Sequence, residues 1–334
     1  MQHTWIHSPT RPEAVSNHWR LNPLTSPTGT KRAGWLLLGI GLMLAVAGCV
    51  TSRPVPAPTP VPGIAILMSD RSPAFTGVQR EIEKRYSQRI ENHYLGKNEG
   101  ADSTVQKRIQ SSNITQVVAI GLPAARVARG LAGKRVVFCQ VFNYEDTDMV
   151  TPWMKGVAAT PPANEQFRAW KLLSPRLKKV GVITGRNLRG LMDDARQAAR
   201  ENGLELVHVE VRSDKETLYA YKQLAPKIQG LWLVPDNRVL SSEVIRDVMA
   251  HGMKEGKQVA VFSHQLLSLG GLLSAESSYA DIAEQVLERI GRPRRDTDTP
   301  VTPLTRATIR INSVMAKRLN LWIPKTLRGM AHAP

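Results

Sequence analysis

Short apolar runs alternate with amphipathic segments along the chain from residue 64 onward. A run such as IAILM (64–68) has no polar face, and such continuous apolar strands are typical of parallel sheets that helices cover on both sides. The next segment places Val78, Ile82 and Tyr86 four residues apart, which is the spacing of one helix face. The repeated order of strand and helix predicts an α/β protein.

The alternation falls into two halves, separated by an irregular, proline-containing stretch between Val141 and Leu172. Predicted strands lie at 64–68, 115–121 and 134–142 in the first half and at 179–184, 204–211, 230–235 and 258–263 in the second. Predicted helices lie at 123–131, 190–201, 215–224 and 241–254. We therefore predict two doubly wound parallel-sheet lobes with a central cleft.

The N-terminal region has the order of a secretory signal. Lys31 and Arg32 precede an apolar stretch that ends at Gly48 and is shorter than the about 20 residues that span a bilayer. The tetrad Val46-Ala47-Gly48-Cys49 resembles the bacterial lipoprotein lipobox, in which the peptide is cut before an acylated cysteine. The resemblance implies that residues 1–48 are a signal peptide and that Cys49 is the lipid-attachment site, with palmitate among its acyl chains. An uncleaved N-terminal anchor and a simple secretory signal are the alternatives.

Residues 49–62 are predicted to form a linker. The segment RPVPAPTPVPG contains five prolines in alternation with other residues, which favours polyproline II and excludes a helix. Ten such residues reach about 30 Å. Val50 follows the cysteine, and in the proteobacterial sorting rule the absence of Asp there implies transfer to the outer membrane, facing the periplasm. The expected location is thus the bacterial cell envelope.

The chain is strongly basic, with a formal net charge of +17, and it retains +14 without the +3 of residues 1–48. Such a charge is compatible with anionic partners. The basic residues are scattered, however, and no arginine-rich arm or basic stripe with interleaved aromatic residues is present. We therefore expect a basic surface and no nucleic-acid partner.

Enzyme motifs are missing from the sequence. No GxxxxGK[ST], GxGxxG, GxSxG or HExxH pattern occurs, so we predict no catalytic residue, no cofactor and no metal site. Two carboxylate pairs are present, Glu145-Asp146 and Asp193-Asp194, and the second is expected in the first turn of its helix, where the dipole favours acids. Cys139 lies in the strand KRVVFCQVF and is expected to be a core residue.

Ligands bind at the carboxyl ends of the strands in open α/β sheets, where loops lead into helices. Polar residues and glycines follow the predicted strands at these ends. The predicted ligand-binding residues are Ser69, Gly121, Asn143, Arg186, Asn187, Asp236, Asn237, Ser263 and His264. The alternative at each position is a helix cap or a turn residue.

The second half resembles the substrate-binding protein family of certain bacterial ABC transporters. The resemblance is carried by Val234-Pro235-Asp236-Asn237, by the strand from Val259 to Ser263 and by Gly271-Leu272-Leu273. The ending RINSVMAKRLNLWIP and the segment PANEQFRAWKLLSPRLKKVGVI carry it further. The match extends over residues 157–324 and is weaker over 63–156.

The resemblance implies a two-lobed fold of the type I periplasmic binding class, the venus-flytrap type, which closes on a small solute and delivers it to an ABC permease. Lobe 1 would comprise residues 63–156 and about 277–300, lobe 2 residues 157–276, and a C-terminal segment, 301–334, would pack on both. By position, Asp236 and Asn237 match family pocket residues.

The sequence departs from the family at two places. Leu122 replaces the hydroxyl residue of the family's Gly-Thr-Pro turn, and FNYEDTD lacks the usual Asp-Pro pair. The leading hypothesis is a lipid-anchored solute-binding protein for import of an amino-acid-like molecule. The alternative is an outer-membrane accessory or sensing lipoprotein without a permease. A degenerate enzyme and a polyanion-binding protein are the remaining classes.

Overall fold

The structure, a computed structural model, describes residues 63–95, 99–292 and 299–334. The predicted signal peptide (1–48), the predicted linker (49–62) and Cys49 lie outside the described residues.

The described residues contain strands and helices in alternation. The strands are β1 (Gly63–Met68), β2 (Arg89–Tyr94), β3 (Gln116–Ile120), β4 (Arg135–Cys139), β5 (Met154–Val157), β6 (Lys179–Thr184), β7 (Glu205–Glu210), β8 (Gly230–Trp232), β9 (Gln258–Val261), β10 (Leu273–Glu276), β11 (Val301–Thr302), β12 (Thr308–Asn312) and β13 (Ala331–His332). The α-helices are α1 (Pro73–Arg85), α2 (Glu99–Ser111), α3 (Leu122–Arg129), α4 (Ala163–Leu173), α5 (Arg189–Glu201), α6 (Asp214–Leu224), α7 (Ser242–Lys254), α8 (Tyr279–Gly291) and α9 (Ser313–Arg318). Short 3-10 helices lie at Tyr144–Thr147, Ala225–Lys227, His264–Leu267 and Lys325–Met330.

The strands form two sheets, each the centre of one lobe. The first sheet has the order β11-β5-β4-β3-β1-β2 with parallel neighbours throughout. The second has the order β13-β12-β10-β9-β8-β6-β7, in which β12 runs antiparallel to β10. The predicted α/β class with two parallel-sheet lobes is confirmed.

Apolar clusters lie on both faces of each sheet, which is why the central strands are apolar on both of their faces. In β1, Ile64 and Ile66 contact the cluster under α1 and α8, whereas Ala65 and Leu67 face α2 and α3. The second sheet packs against α4 and α5 on one face and against α6 and α7 on the other. Residues 63–334 thus supply both sheets and the core of an independently folding body.

The chain passes between the lobes three times. After β5 it enters α4 of the second lobe, and after β10 it returns to α8, which packs on α1 and β4 of the first lobe. The strand β11 then pairs with β5 before the chain enters β12 of the second sheet. The first sheet therefore contains Val157 and Val301–Thr302, which lie just beyond the predicted bounds of lobe 1.

Hydrogen bonds tie the crossing segments to one another. The Ala158 amide donates to the Thr302 carbonyl at 2.9 Å, and the Ser277 hydroxyl donates to the Arg306 carbonyl at 2.8 Å. The buried Gln285 side chain of α8 donates to the Pro303 carbonyl at 2.8 Å and accepts the Thr305 amide at 3.1 Å. Gln285 therefore holds the third crossing against α8.

We expect Gln285→Ala to lower the free energy of unfolding by about 2 kcal/mol, because it leaves the Pro303 carbonyl and the Thr305 amide without their partner. Urea unfolding measures the effect. The control Gln223→Ala removes an exposed glutamine and should change stability by less than about 0.5 kcal/mol. Equal stability of the two variants would show that Gln285 does not hold the crossing.

Candidate ligand-binding site between the lobes

The nine predicted residues lie along one edge of each sheet. Ser69, Gly121 and Asn143 follow β1, β3 and β4, which are neighbours in the first sheet. The other six follow β6, β8 and β9, which are neighbours in the second. The structure therefore brings the first-lobe residues together on one edge and the second-lobe residues together on another.

Ser69 and Gly121 form one turn at the edge of the first sheet. The Ser69 hydroxyl donates to the Ile120 carbonyl at 3.0 Å and accepts the Ala124 amide in the first turn of α3, also at 3.0 Å. Gly121 has φ +88°, and a Cβ there would lie 2.6 Å from the Ser69 Oγ. Only glycine suits this position, and the Ser69 hydroxyl supplies a polar contact at the turn where Leu122 is apolar.

Asp236 is almost fully buried and its carboxylate is occupied within its own lobe. Arg238 donates to both oxygens, from Nε and from a terminal nitrogen, each at 2.8 Å. The Gly185 amide donates to the same carboxylate at 2.8 Å. Asp236 therefore joins the loops after β6 and β8, and it positions Arg238, whose side chain is 23% exposed.

The remaining residues differ in their surroundings. Ser263 accepts the Gln265 amide at 3.4 Å, and His264 is exposed with its Nδ1 2.8 Å from Glu276. The Arg186 carbonyl accepts a hydrogen bond from Arg238, while its side chain and those of Asn187 and Asn237 are exposed. Asn143 is buried and precedes the 3-10 helix Tyr144–Thr147.

A cavity of about 330 Å³ lies where the two lobes meet. Its walls come from the loop after β4, from the crossing after β5, from α5 and its preceding loop, and from the third crossing. The apolar part includes Phe142, Ala159, Pro162, Leu188, Leu191 and Pro303. None of the nine predicted residues lines it, but Asn143 and Asn187 adjoin lining residues.

The polar part of the cavity is acidic. Tyr144, Glu145, Asp194 and Glu201 line it, together with Asn164 and Gln197, and no Lys, Arg or His is among the lining residues. The Glu145 carboxylate accepts the Gly190 amide at 3.3 Å, which links the first lobe to the start of α5 in the second. A Cβ at position 190 would lie 2.7 Å from Glu145 Oε1, so a larger residue there would require the Glu145 side chain to move.

Tyr144 is a neutral hydrogen-bonding group at neutral pH. Burial raises the pKa of Tyr144 to about 12, and the carboxylates of Glu145 and Asp194 add to the effect because they oppose a phenolate. Its ring packs on the first-lobe core and lies 5.9 Å from the ring of Phe138. Phe142, two residues earlier, packs instead against the second-lobe core. This loop therefore contacts both lobes.

The strand end that precedes Gly185 is held by His208. Thr184 Oγ1 lies 2.8 Å from His208 Nε2. Burial lowers the pKa of His208, and the Arg196 guanidinium lowers it further. A neutral imidazole in this place keeps the hydrogen bond to the threonine hydroxyl.

Sequence reasoning noticed Glu145 and Asp194 but not their meeting in one cavity. The expectation that Asp193-Asp194 lies in the first helical turn was wrong, because α5 begins at Arg189 and its first turn has no acidic residue. The helix dipole therefore does not explain Asp194. In the sequence, Asp194 has no Lys or Arg three or four residues away, so no ion pair along α5 explains it. This feature could have marked Asp194 as a candidate site residue.

Neither an activated thiol nor a metal-ligating cluster occurs among the described residues. Cys139 is buried in β4, and burial raises the pKa of its thiol to about 12, so it is protonated at neutral pH. No group of three metal-ligating side chains occurs among the residues that the structure describes. In the same part of the chain, no helix is long and apolar enough to cross a membrane.

We expect Asp236→Ala to lower the free energy of unfolding by about 2 kcal/mol, because Arg238 and the Gly185 amide lose a buried charged acceptor. Asp193→Ala is the control, since it removes an exposed Asp–Arg pair and should cost about 0.5 kcal/mol or less. Chemical unfolding of both variants makes the comparison. If Asp236→Ala is as stable as the control yet loses ligand binding, Asp236 contacts the solute directly.

The chain shares parts of its sequence and its fold with known proteins. No protein-family model matches the chain. A tyrosine-binding protein of Clostridioides difficile is 29% identical over 162 residues, which cover 45% of each chain. The chain thus spans less than half the length of this curated relative.

Solved structures match a larger share of the chain. The ABC domain in complex with L-Trp from Streptococcus pneumoniae aligns with a TM-score of 0.58 and 19% identity, covering 80% of this chain and 98% of that one. The ligand-free, open structure of a substrate-binding protein with adhesive properties from Clostridium difficile aligns with a TM-score of 0.61 and 17% identity, covering 81% and 98%. The chain has the type I periplasmic-binding-protein fold, and the resemblance that the sequence indicated is confirmed at the level of that fold.

Proposed function

We propose that the chain captures a small organic molecule of amino-acid type in the cavity between its lobes. The observation that carries this proposal is the cavity itself, which takes its walls from both lobes and from two of the crossings that join them. Its volume of about 330 Å³ is at the lower end for ligand pockets and suits a small solute.

The lining favours a ligand with an apolar body and a positive group. Glu145, Asp194 and Glu201 line the cavity, and no Lys, Arg or His is among the lining residues. A buried or partly buried charge is stabilised by an opposite charge, so an ammonium group is the complementary ligand group. Apolar side chains such as Phe142 and Leu191 would cover the remainder.

Similar proteins support the amino-acid class. The curated relative is a tyrosine-binding protein, and one of the solved structures holds L-Trp. Both ligands combine an ammonium group and a carboxylate with a large apolar part, and the lining side chains are complementary to the ammonium group and the apolar part. Ligand-coupled closure would act on the Glu145–Gly190 contact, because this hydrogen bond joins the two lobes beside the cavity.

A thermal-shift screen of residues 63–334 against amino acids, organic acids, sugars and nucleosides tests the proposal. A ligand at a hundredfold its dissociation constant should add about 2.7 kcal/mol and raise the melting temperature. We expect hits among amino acids with apolar side chains. A screen without hits on folded protein would contradict solute capture.

We expect Ala159→Trp to abolish the ligand-induced rise, because the indole would fill the cavity that Ala159 lines. Ala132→Trp is the matched control, since Ala132 is exposed and does not line the cavity. Isothermal titration calorimetry with the best hit compares both variants. Unchanged affinity in Ala159→Trp would place the ligand elsewhere.

We further propose that the protein is lipid-anchored through Cys49 at the outer membrane, facing the periplasm, and serves ABC-type import. The support is the sequence order of charge, apolar stretch, small residues and cysteine, with Val50 after it. Acyl chains bind a bilayer with about 0.8 kcal/mol per buried CH₂, so several chains hold a protein stably.

We expect Cys49→Ser to abolish acylation and to leave a soluble or unprocessed precursor. Metabolic labelling with a palmitate analogue and membrane fractionation measure the two effects. The control is Cys139→Ser, which removes the buried thiol and should leave labelling unchanged. Labelled, membrane-bound Cys49→Ser would exclude this anchor.

An accessory or sensing lipoprotein without a permease is the second candidate. Val50 favours it, because outer-membrane placement fits poorly with delivery to an inner-membrane permease. Leu122 also favours it, because an apolar side chain there replaces the hydroxyl residue of the family's Gly-Thr-Pro turn. Uptake of a labelled hit separates the two. Reduced uptake in a deletion strain indicates import, whereas unchanged uptake indicates the accessory role.

A further inference from the structure

The C-terminal end of the second lobe carries an exposed surface that solute capture does not explain. We define the C-terminal patch as Lys317, Leu321, Trp322, Ile323 and Arg328, which share a groove of about 560 Å³ with Ser313, Asn320 and Ala331. Trp322 is 76% exposed, and the Arg328 guanidinium lies 5.6 Å from the centre of its ring. An indole that is so exposed is unusual on a soluble surface.

Local spacing extends the patch beyond the groove. Val314 in α9 is 58% exposed. Lys317 follows it by three residues and Arg318 by four, so all three side chains share one helix face. Lys325 and Arg328 are three residues apart in the 3-10 helix Lys325–Met330 and also align on one face. The two elements that line the groove, α9 and the 3-10 helix, therefore carry one further exposed apolar side chain and two further basic ones.

The charged side chains of the C-terminal segment, residues 299–334, are all basic. The sequence from residue 299 to the end contains no Asp or Glu. Arg306 and Arg310 nevertheless have acidic partners in α8 and β10. Lys317, Arg318, Lys325 and Arg328 are exposed and form no ion pair within the described residues. These cations are therefore available to an anionic partner.

We propose that the C-terminal patch docks on an anionic phospholipid bilayer surface. An exposed tryptophan among apolar residues, flanked by long basic side chains, matches the interface between headgroups and acyl chains, where indoles and lysine or arginine stems partition. The cations bind lipid phosphates, and each contributes to affinity for an anionic leaflet. This inference uses only the C-terminal surface, so it stands independently of the ligand cavity and of Cys49.

Co-sedimentation of residues 63–334 with vesicles tests the proposal, since this part has no lipidation site and carries the whole folded core. Vesicles of phosphatidylcholine alone are compared with vesicles that also contain phosphatidylglycerol. We expect binding to the anionic vesicles only, and we expect added salt to weaken it. Equal binding to both vesicle types, or to neither, would overturn the proposal.

Two patch variants and two matched controls locate the contact. Lys317→Gln with Lys325→Gln should lower the partition coefficient about 30-fold, since each cation is worth about 1 kcal/mol at such a surface. Trp322→Ala should lower it about fivefold or more. The controls are Lys222→Gln with Lys227→Gln, and Tyr219→Ala, which remove exposed cations and a 69% exposed aromatic ring from another face of the lobe.

Brominated lipids report contact directly. Of the tryptophans in residues 63–334, Trp170 and Trp232 are buried, and Trp322 is far more exposed than Trp153. Quenching by brominated anionic vesicles should be lost in Trp322→Phe even though that variant still sediments. The proposal would be overturned if the patch variants bound vesicles as the wild type does and if quenching persisted in Trp322→Phe. An acidic protein would then be the remaining candidate partner for the patch.

Discussion

The architecture depends on the three passages of the chain between the lobes. The first follows β5, the second leads from β10 to α8, and the third leads from β11 to β12. Gln285 of α8 forms hydrogen bonds with Pro303 and Thr305. The third passage is therefore fixed to α8, the helix that follows the second passage. The cavity uses residues of the first and third passages as walls. A motion of one lobe against the other must therefore change the shape of the cavity, which is the coupling that capture by closure requires.

The ligand cavity and the C-terminal patch have charges of opposite sign. The chain is strongly basic, yet the cavity is lined by Glu145, Asp194 and Glu201 without a basic residue. The C-terminal segment has the reverse character, with exposed cations and no acid. Net charge alone suggested anionic partners, but the local field at each surface decides what binds there. The same molecule can thus favour a cationic solute group in its cavity and a negative surface at its C-terminal end.

Part of the fold and of the site was predictable. The buried strands β1, β3, β4, β6, β8 and β9 stand out because both of their faces are apolar. The edge strand β2 reads RIENHY and has only one fully buried residue, so its composition carries no strand signal. At the site, strand ends located Asp236, but its carboxylate contacts Arg238 and Gly185. Glu145 and Asp194 come from different lobes, and no local pattern relates them.

The order of apolar and polar residues along the chain predicts the α/β class, the two halves and the sheet edges at which polar residues collect. Those features follow from hydrophobic periodicity, which is a local property of consecutive residues. The assembled fold was needed to establish that α8 packs on the first lobe, that Glu145 contacts Gly190 across the lobes, and that Arg238 occupies the Asp236 carboxylate. These contacts join segments whose packing surfaces become complementary only after each sheet has formed, so their formation depends on the assembled fold.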